Sequence, residues 1–478
     1  MRHCPDDRLR GWQRFKYPLD NVKAARVVLA LILGALGSLP LVILTPPFQV
    51  PDEVQHFYRA YQLSEFHLLA EVQNGRAGGT LPVSLAQFVK ASVYTKDGIE
   101  YPVTPAPIAK TLQLKSIPLD STKRQFIAFP GSAFYSPLPY MPQALGIAVG
   151  RLLGWGPLSM LYIGRLFNCL SALGLLGLAV SIMPFAEELV ILAGLLPMSL
   201  YLYASFSPDA DLIGCALVFS AFAISSSARG NWKTRELWMA AIAAAVFCSV
   251  KPVYVPMLLA AATPGVFRKG EAAKVIRSTA IMLGVALGVT ASWVFFAKST
   301  MTSPLNGAHP SAQIGLILHH PVILIRVLFH MLELVALVNL YVQIVGDFGW
   351  LKVLLWPGVV YILPIVSLVL LWKPGIRGSR ERSAGRALWH LALALASAVL
   401  IVVAVYLAWA QVGQDRVVGV QGRYFIPLLV LAGMGTIELF PRRNSPAPRW
   451  QSLLGIAVVS LLEIAAMDAT IIRAFHVF

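Results

Sequence analysis

From Val27 to Leu44 the chain carries no charged side chain. A run of that length constrains the fold more than any motif, because roughly 20 apolar residues in an α-helix cross the hydrocarbon core of a bilayer. Further runs follow at residues 166–185, 189–207, 212–227, 237–250, 252–267, 278–297, 353–372, 387–411, 424–437 and 452–462. Several are short for a full span, so the pattern predicts an all-α polytopic membrane protein with about 11 crossings, in a range of about 10 to 13. Composition agrees: only 13% of the 478 residues are charged and 57% are hydrophobic, whereas a soluble domain is about a quarter charged. A chain this apolar lacks the polar surface to face water. The first run is long, has no A-x-A cleavage pattern and is followed by Pro46 and Pro47, so it reads as an anchor and not as a cleaved leader.

The basic residues orient these spans, since Lys and Arg collect in cytoplasmic loops. The stretch before the first span holds Arg2, Arg8, Arg10, Arg14, Lys16, Lys23 and Arg26. Later clusters are Arg229/Lys233/Arg235, Arg268/Lys269/Lys274/Arg277, Lys373/Arg377/Arg380/Arg382/Arg386 and Arg442/Arg443/Arg449. All of them fall inside if residues 322–345 and 140–153 lie along or dip into the outer face. The division is then a basic cytoplasmic tail 1–26, a transmembrane domain 27–440 with a large extracytoplasmic loop 45–163 containing juxtamembrane helices, and a cytoplasmic loop with a terminal transmembrane helix in 441–478. The connection 183–188 is also placed inside, although it holds Glu187 and Glu188 and no base.

The net charge of +16 is accounted for by these inner loops and their contact with anionic membrane lipid. The bases are scattered and not gathered on one folded face, so no nucleic-acid partner is expected. Of the four cysteines, Cys4 is in the inner tail and Cys169, Cys215 and Cys248 sit in or near spans, so no disulfide and no C-x-x-C metal site is expected. No Walker-type loop occurs, and no nucleotide cofactor is expected.

The unusual polar motifs fall on the outer side, where such residues default to a functional reading. Directly after the first span comes Pro46-Pro47-Phe48-Gln49-Val50-Pro51-Asp52-Glu53-Val54-Gln55-His56-Phe57. Pro51 suits a helix start, and Asp52 or Glu53 can share a face with His56. A carboxylate here could be a general base or hold a divalent cation; it could equally offset the dipole of the helix it begins. The segment Phe134-Tyr135-Ser136-Pro137-Leu138-Pro139-Tyr140-Met141-Pro142 reads as an interfacial aromatic anchor or the lining of a lipid groove. Between the two, Tyr94 to Tyr101 reads as a hairpin turning at Asp97-Gly98. Ser207-Pro208-Asp209-Ala210-Asp211 puts two carboxylates at the mouth of adjacent spans. Lys251-Pro252 is a lone cation between apolar runs, a phosphate ligand or a snorkelling lysine. Gln421-Gly422-Arg423-Tyr424 puts an arginine where the chain re-enters the membrane, and its planar fork suits phosphate oxygens. His309, His319-His320 and Gly346-Asp347-Phe348-Gly349-Trp350 complete the outer set. Acid, lysine and arginine converging on one face is what a lipid-phosphate substrate requires.

The motifs P-x-x-V-P-D-E-V-Q-H-F, Y-S-P-L-P-Y, R-L-F-N (Arg165 to Asn168), S-P-D-A-D, K-P-V-Y (Lys251 to Tyr254), G-D-F-G-W and Q-G-R-Y-F-I-P stand in this order over residues 27–437. As a set they resemble the bacterial membrane family known as domain of unknown function 2142. That family is similar in layout to the GT-C class of membrane glycosyltransferases, which share a first span, a large outer loop opening with an acidic motif, a Y-x-P-type segment and many further spans. The resemblance implies a multi-pass protein of the bacterial cytoplasmic (inner) membrane that moves a sugar from a polyprenyl-phosphate donor to a cell-envelope glycan or lipid-linked acceptor on the extracytoplasmic face. It implies Asp52 or Glu53 as catalytic base. His56, Tyr135, Tyr140, Asp209, Lys251, Arg423 and Tyr424 are candidates for substrate binding. Asp52, Glu53 and Asp209 are the candidates for a divalent cation, Mg or Mn.

Two other classes share the bulk features. A transporter or flippase of lipid-linked glycan calls for repeat symmetry and broken helices near the midplane. A non-catalytic envelope-assembly protein would tolerate loss of Asp52 or Arg423. The orientation is testable independently of function. With Asp97→Cys or Asp415→Cys, an impermeant thiol reagent should label intact cells; labelling only after lysis overturns it.

Overall fold

The computed structural model of the chain describes residues 16–96, 99–102, 108–263, 272–301, 308–362, 365, 384–439 and 449–475. The tail 1–15 and the basic clusters between residues 264–271, 366–383 and 440–448 lie outside them. Helix α1 (Lys16–Leu44) leads into a folded loop made of α2 (Glu53–Ser64), β1 (Glu71–Gln73), β2 (Arg76–Pro82), α3 (Val83–Ser92), β3 (Val93–Lys96), β4 (Ile99–Pro102), β5 (Arg124–Ala128) and α4 (Met141–Leu152). The bundle resumes with α5 (Pro157–Ile182), the short α6 (Glu187–Leu195) and α7 (Pro197–Tyr203), α8 (Asp209–Arg229), α9 (Thr234–Val250), a 3-10 segment Pro252–Ala262 and α10 (Ala272–Ala297). Then come α11 (Pro310–His319), α12 (Val322–His330), α13 (Leu334–Gly346), a ribbon of β6 (Asp347–Phe348) and β7 (Val353–Leu354), and α14 (Ala384–Trp409). A second 3-10 segment, Gly422–Leu428, runs into α15 (Leu429–Leu439), and α16 (Arg449–Phe475) follows.

Among the described residues 7 stretches are long and apolar enough to cross a bilayer, or 8 if α11 and α12, bent by 108°, form one broken span. The eleven expected crossings are therefore not what the described residues carry, and the reasons are local. The run 189–207 is cut at Leu196, extended at φ −50 and ψ 138, because Pro197 has no N–H to continue α6 and begins α7 instead. The run 237–250 becomes α9, 17 residues long, and the following run opens as the 3-10 segment Pro252–Ala262, with Pro252 and Pro256 in it. Of the run 353–372, residues 363–364 and 366–372 lie outside the described residues.

On α1, Val28, Ile32, Leu36, Leu39 and Ile43 are exposed. Their three- and four-residue steps put them on one face, which only lipid can cover. The opposite face packs on α5, closely because a side chain at Gly34 would meet Leu173 at 2.6 Å. Helix α8 is buried along its whole length between α5 and α9 and forms the pillar of the bundle. At one end of the bundle Arg26 pairs with Glu187 and, at 2.8 Å, with Glu188, while Arg386 holds Glu438 at 2.7 Å. The acidic connection without a base thus takes its cation from the foot of α1.

The loop after α1 holds more strand than the single hairpin that the sequence led us to expect beside its juxtamembrane helices. β1, β2 and β5 form an antiparallel sheet, with Gly78 opposite Ala128 and Thr80 opposite Phe126. β3 pairs with β4 as the expected hairpin, its turn at 97–98 lying outside the described residues. The loop has its own core, in which Phe57 packs edge-on against Phe206 at 5.4 Å.

One ion pair fastens this loop to the bundle. Arg165, on α5, and Glu53, the first residue of α2, are both fully buried. Arg165 donates Nε to Glu53 Oε1 at 2.8 Å and Nη2 to Oε2 at 2.6 Å. Its remaining N–H groups go to the carbonyls of Val42 (3.2 Å), in the last turn of α1, and of Thr45 (2.5 Å) and Pro46 (3.1 Å), just past its end. Glu53 in turn accepts the backbone N–H of Phe48 at 3.0 Å and of Phe206 at 3.1 Å. The pair is satisfied on every side, which is the condition for burying charge. Breaking it leaves an uncompensated buried charge, so Glu53→Gln or Arg165→Met should cost about 3–5 kcal/mol. The measurement is thermal unfolding of the detergent-solubilised protein; a Glu53→Gln variant as stable as wild type contradicts this structural role.

Candidate functional site

Asp52 and Glu53 are neighbours in sequence and face different surroundings. Asp52 sits at φ 64, the left-handed region that Asp tolerates better than most residues. Its carbonyl accepts the His56 N–H at 3.1 Å, which starts α2, but its side chain makes no capping hydrogen bond. The turn sends Glu53 into the protein towards Arg165 and leaves the Asp52 side chain 48% exposed. Its carboxylate lies 3.6 Å from Arg423 Nη2.

Arg423 is buried and comes from the 3-10 segment Gly422–Leu428. That segment presses on α13 so closely that a side chain at Gly422 would meet the Leu340 carbonyl at 2.4 Å. The Gly422 N–H donates to Gln343 Oε1 at 2.8 Å, and Tyr254 donates its hydroxyl to the Tyr424 carbonyl at 2.7 Å. Arg423 is therefore positioned from both sides.

Asp209 opens α8. Its approach is set by Asn168 on α5, whose Nδ2 donates to the carbonyls of Ser205 at 2.7 Å and Ser207 at 3.3 Å. Asp209 Oδ1 accepts from Lys251 Nζ at 2.5 Å, and Oδ2 lies 3.4 Å from Arg423 Nε. Lys251 stands 4.0 Å above the Tyr424 ring, with Arg423 over the same ring at 5.5 Å. Asp211, the second acid of the motif, turns away to accept from Ser171 at 2.8 Å.

His56 shares its Nδ1 with the Tyr140 hydroxyl at 2.7 Å, and its ring lies 6.1 Å from that of Tyr135. It feels the charges of Asp52, Asp209, Arg423 and Lys251 together. Burial lowers its pKa to about 4 against the pull of the two carboxylates, so the imidazole is neutral near pH 7. Burial also pushes the Tyr135 hydroxyl far above its ordinary value, with Tyr424 and Asp209 adding to the shift. Tyr135 and Tyr140 are thus not merely an interfacial anchor: they wall the site next to His56.

The structure brings together Asp52, His56, Tyr135, Tyr140, Asp209, Lys251, Arg423 and Tyr424 from five separate parts of the chain. It takes Glu53 out of this group. The three carboxylates offered for a divalent cation do not converge, since Arg165 engages Glu53 and the Arg423 guanidinium contacts both Asp52 and Asp209. Among the described residues no group of three or more His, Cys, Asp or Glu side chains is placed to hold a metal ion. Arg165, Asn168, Tyr254 and Gln343 are positioning residues to which the motifs alone gave no role. The signal was present in R-L-F-N: Arg165, Asn168 and Ser171 step along one face of α5 and hold, in turn, Glu53, the Ser205–Ser207 turn and Asp211.

The low pKa of His56 has a stability consequence. Its folded value of about 4 lies below the ordinary 6.5, so in that window the unfolded chain binds a proton that the native protein does not. Stability is complete above pH 6.5 and is lost as pH falls towards 4, by about 3 kcal/mol for this group. Unfolding temperature followed against pH should show the loss in wild type and a flatter profile in His56→Gln. Equal slopes in the two proteins would rule it out.

No curated protein and no solved structure matches the chain. A family model does, over residues 34–432, from the first span through every element of the site. The chain belongs to the DUF2142 family of predicted membrane proteins.

Proposed function

We propose that the chain is a membrane glycosyltransferase that moves a sugar from a polyprenyl-phosphate donor to a glycan or lipid-linked acceptor in the bacterial cell envelope. The observation that supports this most is one open carboxylate, Asp52, beside two anchored cations, Arg423 and Lys251, at the end of the bundle where α1 gives way to the loop. On this reading Asp52 takes the proton of the acceptor hydroxyl as its oxygen attacks the anomeric carbon. The bond from that carbon to the phosphate oxygen breaks, and the leaving phosphate keeps the electron pair. Lys251 and Arg423 stabilise the charge that develops there, in surroundings drier than bulk water. Tyr424 lies under both cations, and the His56 imidazole beside them has its Nδ1 engaged by the Tyr140 hydroxyl. On the same reading this face is extracytoplasmic, and the Arg26 end of the bundle faces the cytoplasm.

A second reading, transport of a lipid-linked glycan, draws on the 108° break between α11 and α12, since transporters use broken helices around a substrate. Profiling of surface glycans separates the two in three strains: a deletion, the deletion rescued with wild type, and the deletion rescued with Asp52→Asn at equal expression. Under the transferase reading the deletion and Asp52→Asn both lack one sugar, while the accepting glycan still reaches the surface. Loss of the whole glycan from the surface favours transport. Full rescue by Asp52→Asn removes Asp52 from the chemistry.

A further inference from the structure

Four arginines are buried among the described residues, and three of them face a carboxylate. Arg165 is held by Glu53, Arg423 by Asp52 and Asp209, and Arg26 by Glu187 and Glu188. The fourth is Arg59 on α2, which is 0% exposed, and among the described residues no carboxylate pairs with it. Its Nη1 donates to Gln62 Oε1 at 2.5 Å and its Nη2 to the carbonyls of Leu68 at 2.7 Å and Tyr135 at 3.3 Å. All three acceptors are uncharged, and its Nε is buried with no partner. The Trp293 ring of α10 closes over the guanidinium at 5.9 Å, and is itself fixed by a bond to the Phe134 carbonyl at 2.8 Å. Burial lowers the pKa of Arg59 to about 10, which leaves it cationic near pH 7. A buried cation without a counter-charge is expensive. An uncharged side chain of similar length would fill the same space without that cost, and a local rule broken with no local gain points to function.

The place of Arg59 supplies the gain. Asp52, His56 and Arg59 are spaced i, i+4 and i+7, so they share one face of α2. Arg59 also holds the backbone of Tyr135, whose ring stands 6.1 Å from that of His56. It therefore lies behind the wall of the site, two helical turns, or roughly 10 Å, from Asp52. In the site Asp52 and Asp209 balance Arg423 and Lys251, and beneath it Glu53 balances Arg165. Arg59 is the surplus charge. We propose that Arg59 is an electrostatic residue of the site: without touching the ligand, it raises the affinity of the Lys251–Arg423 side for an anion, and the ligand's phosphate is the counter-charge that the chain does not supply. Sealed from water by Trp293 and Tyr135, this charge is screened far less than a surface one. The proposal rests on the reading that a phosphate is bound beside Lys251 and Arg423.

The test is the affinity of the full chain, in a non-ionic detergent, for geranyl phosphate. Wild type is compared with Lys251→Ala and with two variants that cancel the surplus charge by different routes. Arg59→Met removes the cation. Gln62→Glu leaves Arg59 and its packing in place and puts a counter-charge at the oxygen that Arg59 Nη1 already engages. A unit charge about 10 Å away, at an effective dielectric constant of about 20, changes anion affinity roughly tenfold. Both charge variants should therefore bind geranyl phosphate about tenfold more weakly, with unfolding temperatures that show them folded, and Lys251→Ala should weaken it as well. If Arg59→Met does not fold, Gln62→Glu decides alone. Weakening in Arg59→Met but not in Gln62→Glu means that Arg59 acts only by holding the Tyr135 backbone, and overturns the proposal. Loss in Lys251→Ala with both charge variants binding like wild type also overturns it and leaves the phosphate reading standing. Wild type that does not bind geranyl phosphate, or binding that ignores Lys251→Ala, defeats the phosphate reading and the proposal with it.

Discussion

The buried pair of Glu53 and Arg165 is the interaction on which the rest of the site depends. Apolar packing such as Phe57 on Phe206 holds the loop against the bundle without fixing its orientation, and directed contacts do that. Arg165 provides them in three directions from one side chain. Its fork takes both oxygens of Glu53, and its remaining N–H groups take carbonyls just past the end of α1. A positive group at a helix C-terminus is favoured in any case. Glu53 then gathers the backbone of Phe48 and Phe206, one on each side of the acidic loop. The tip of α1, the start of α2, α5 and the turn ahead of α8 are thereby locked into one body. Tyr201 and Trp350 close it from behind, through bonds to the Gln49 and Phe48 carbonyls.

That anchoring explains why two adjacent acids do different work. Glu53 has no lone pair to offer a substrate. Asp52 is displaced from the helix by its left-handed backbone, and among the described residues its charged partner is Arg423, at 3.6 Å. The site at rest is close to neutral, with Asp52 and Asp209 set against Arg423 and Lys251. Neutrality is what a partly buried cluster at a membrane face needs, because unbalanced charge there is costly. The balance is unequal in strength. Asp209 holds Lys251 at 2.5 Å inside the protein, whereas the half-exposed Asp52 is the partner an incoming anion could displace from Arg423.

Much of this was legible in the sequence, and the failures have physical causes. The charge-free runs mark the long helices well at α1, α5, α8, α10 and α14, because hydropathy reports what lipid will accept. It does not report backbone continuity, so Pro197 and the Pro252/Pro256 pair break runs that composition shows as unbroken. The sheet of the loop after α1 escaped because β2, Arg76–Pro82, is rich in glycine and small residues and carries no alternating pattern. The site residues were legible as a set, since acids, a lysine and an arginine next to apolar runs are rare enough to stand out. Their roles were not. A neighbour at i+1 can differ wholly in environment when φ turns positive, and no spacing rule separates Asp52 from Glu53. The positioning residues hide for the opposite reason: Asn168 and Gln343 act by holding backbone groups, and an amide within a helix is unremarkable in sequence.

Arg423 ties the site together, and this limits how it can operate. Its guanidinium faces Asp209 through Nε at 3.4 Å and Asp52 through Nη2 at 3.6 Å, and it lies over the Tyr424 ring. On the glycosyl-transfer reading, a phosphate arriving on the Lys251 side competes with Asp52 for the guanidinium, and the carboxylate is set free when the donor is in place. This exchange needs only that one arginine have two partners of unequal strength, and that the weaker one be the acid proposed to react.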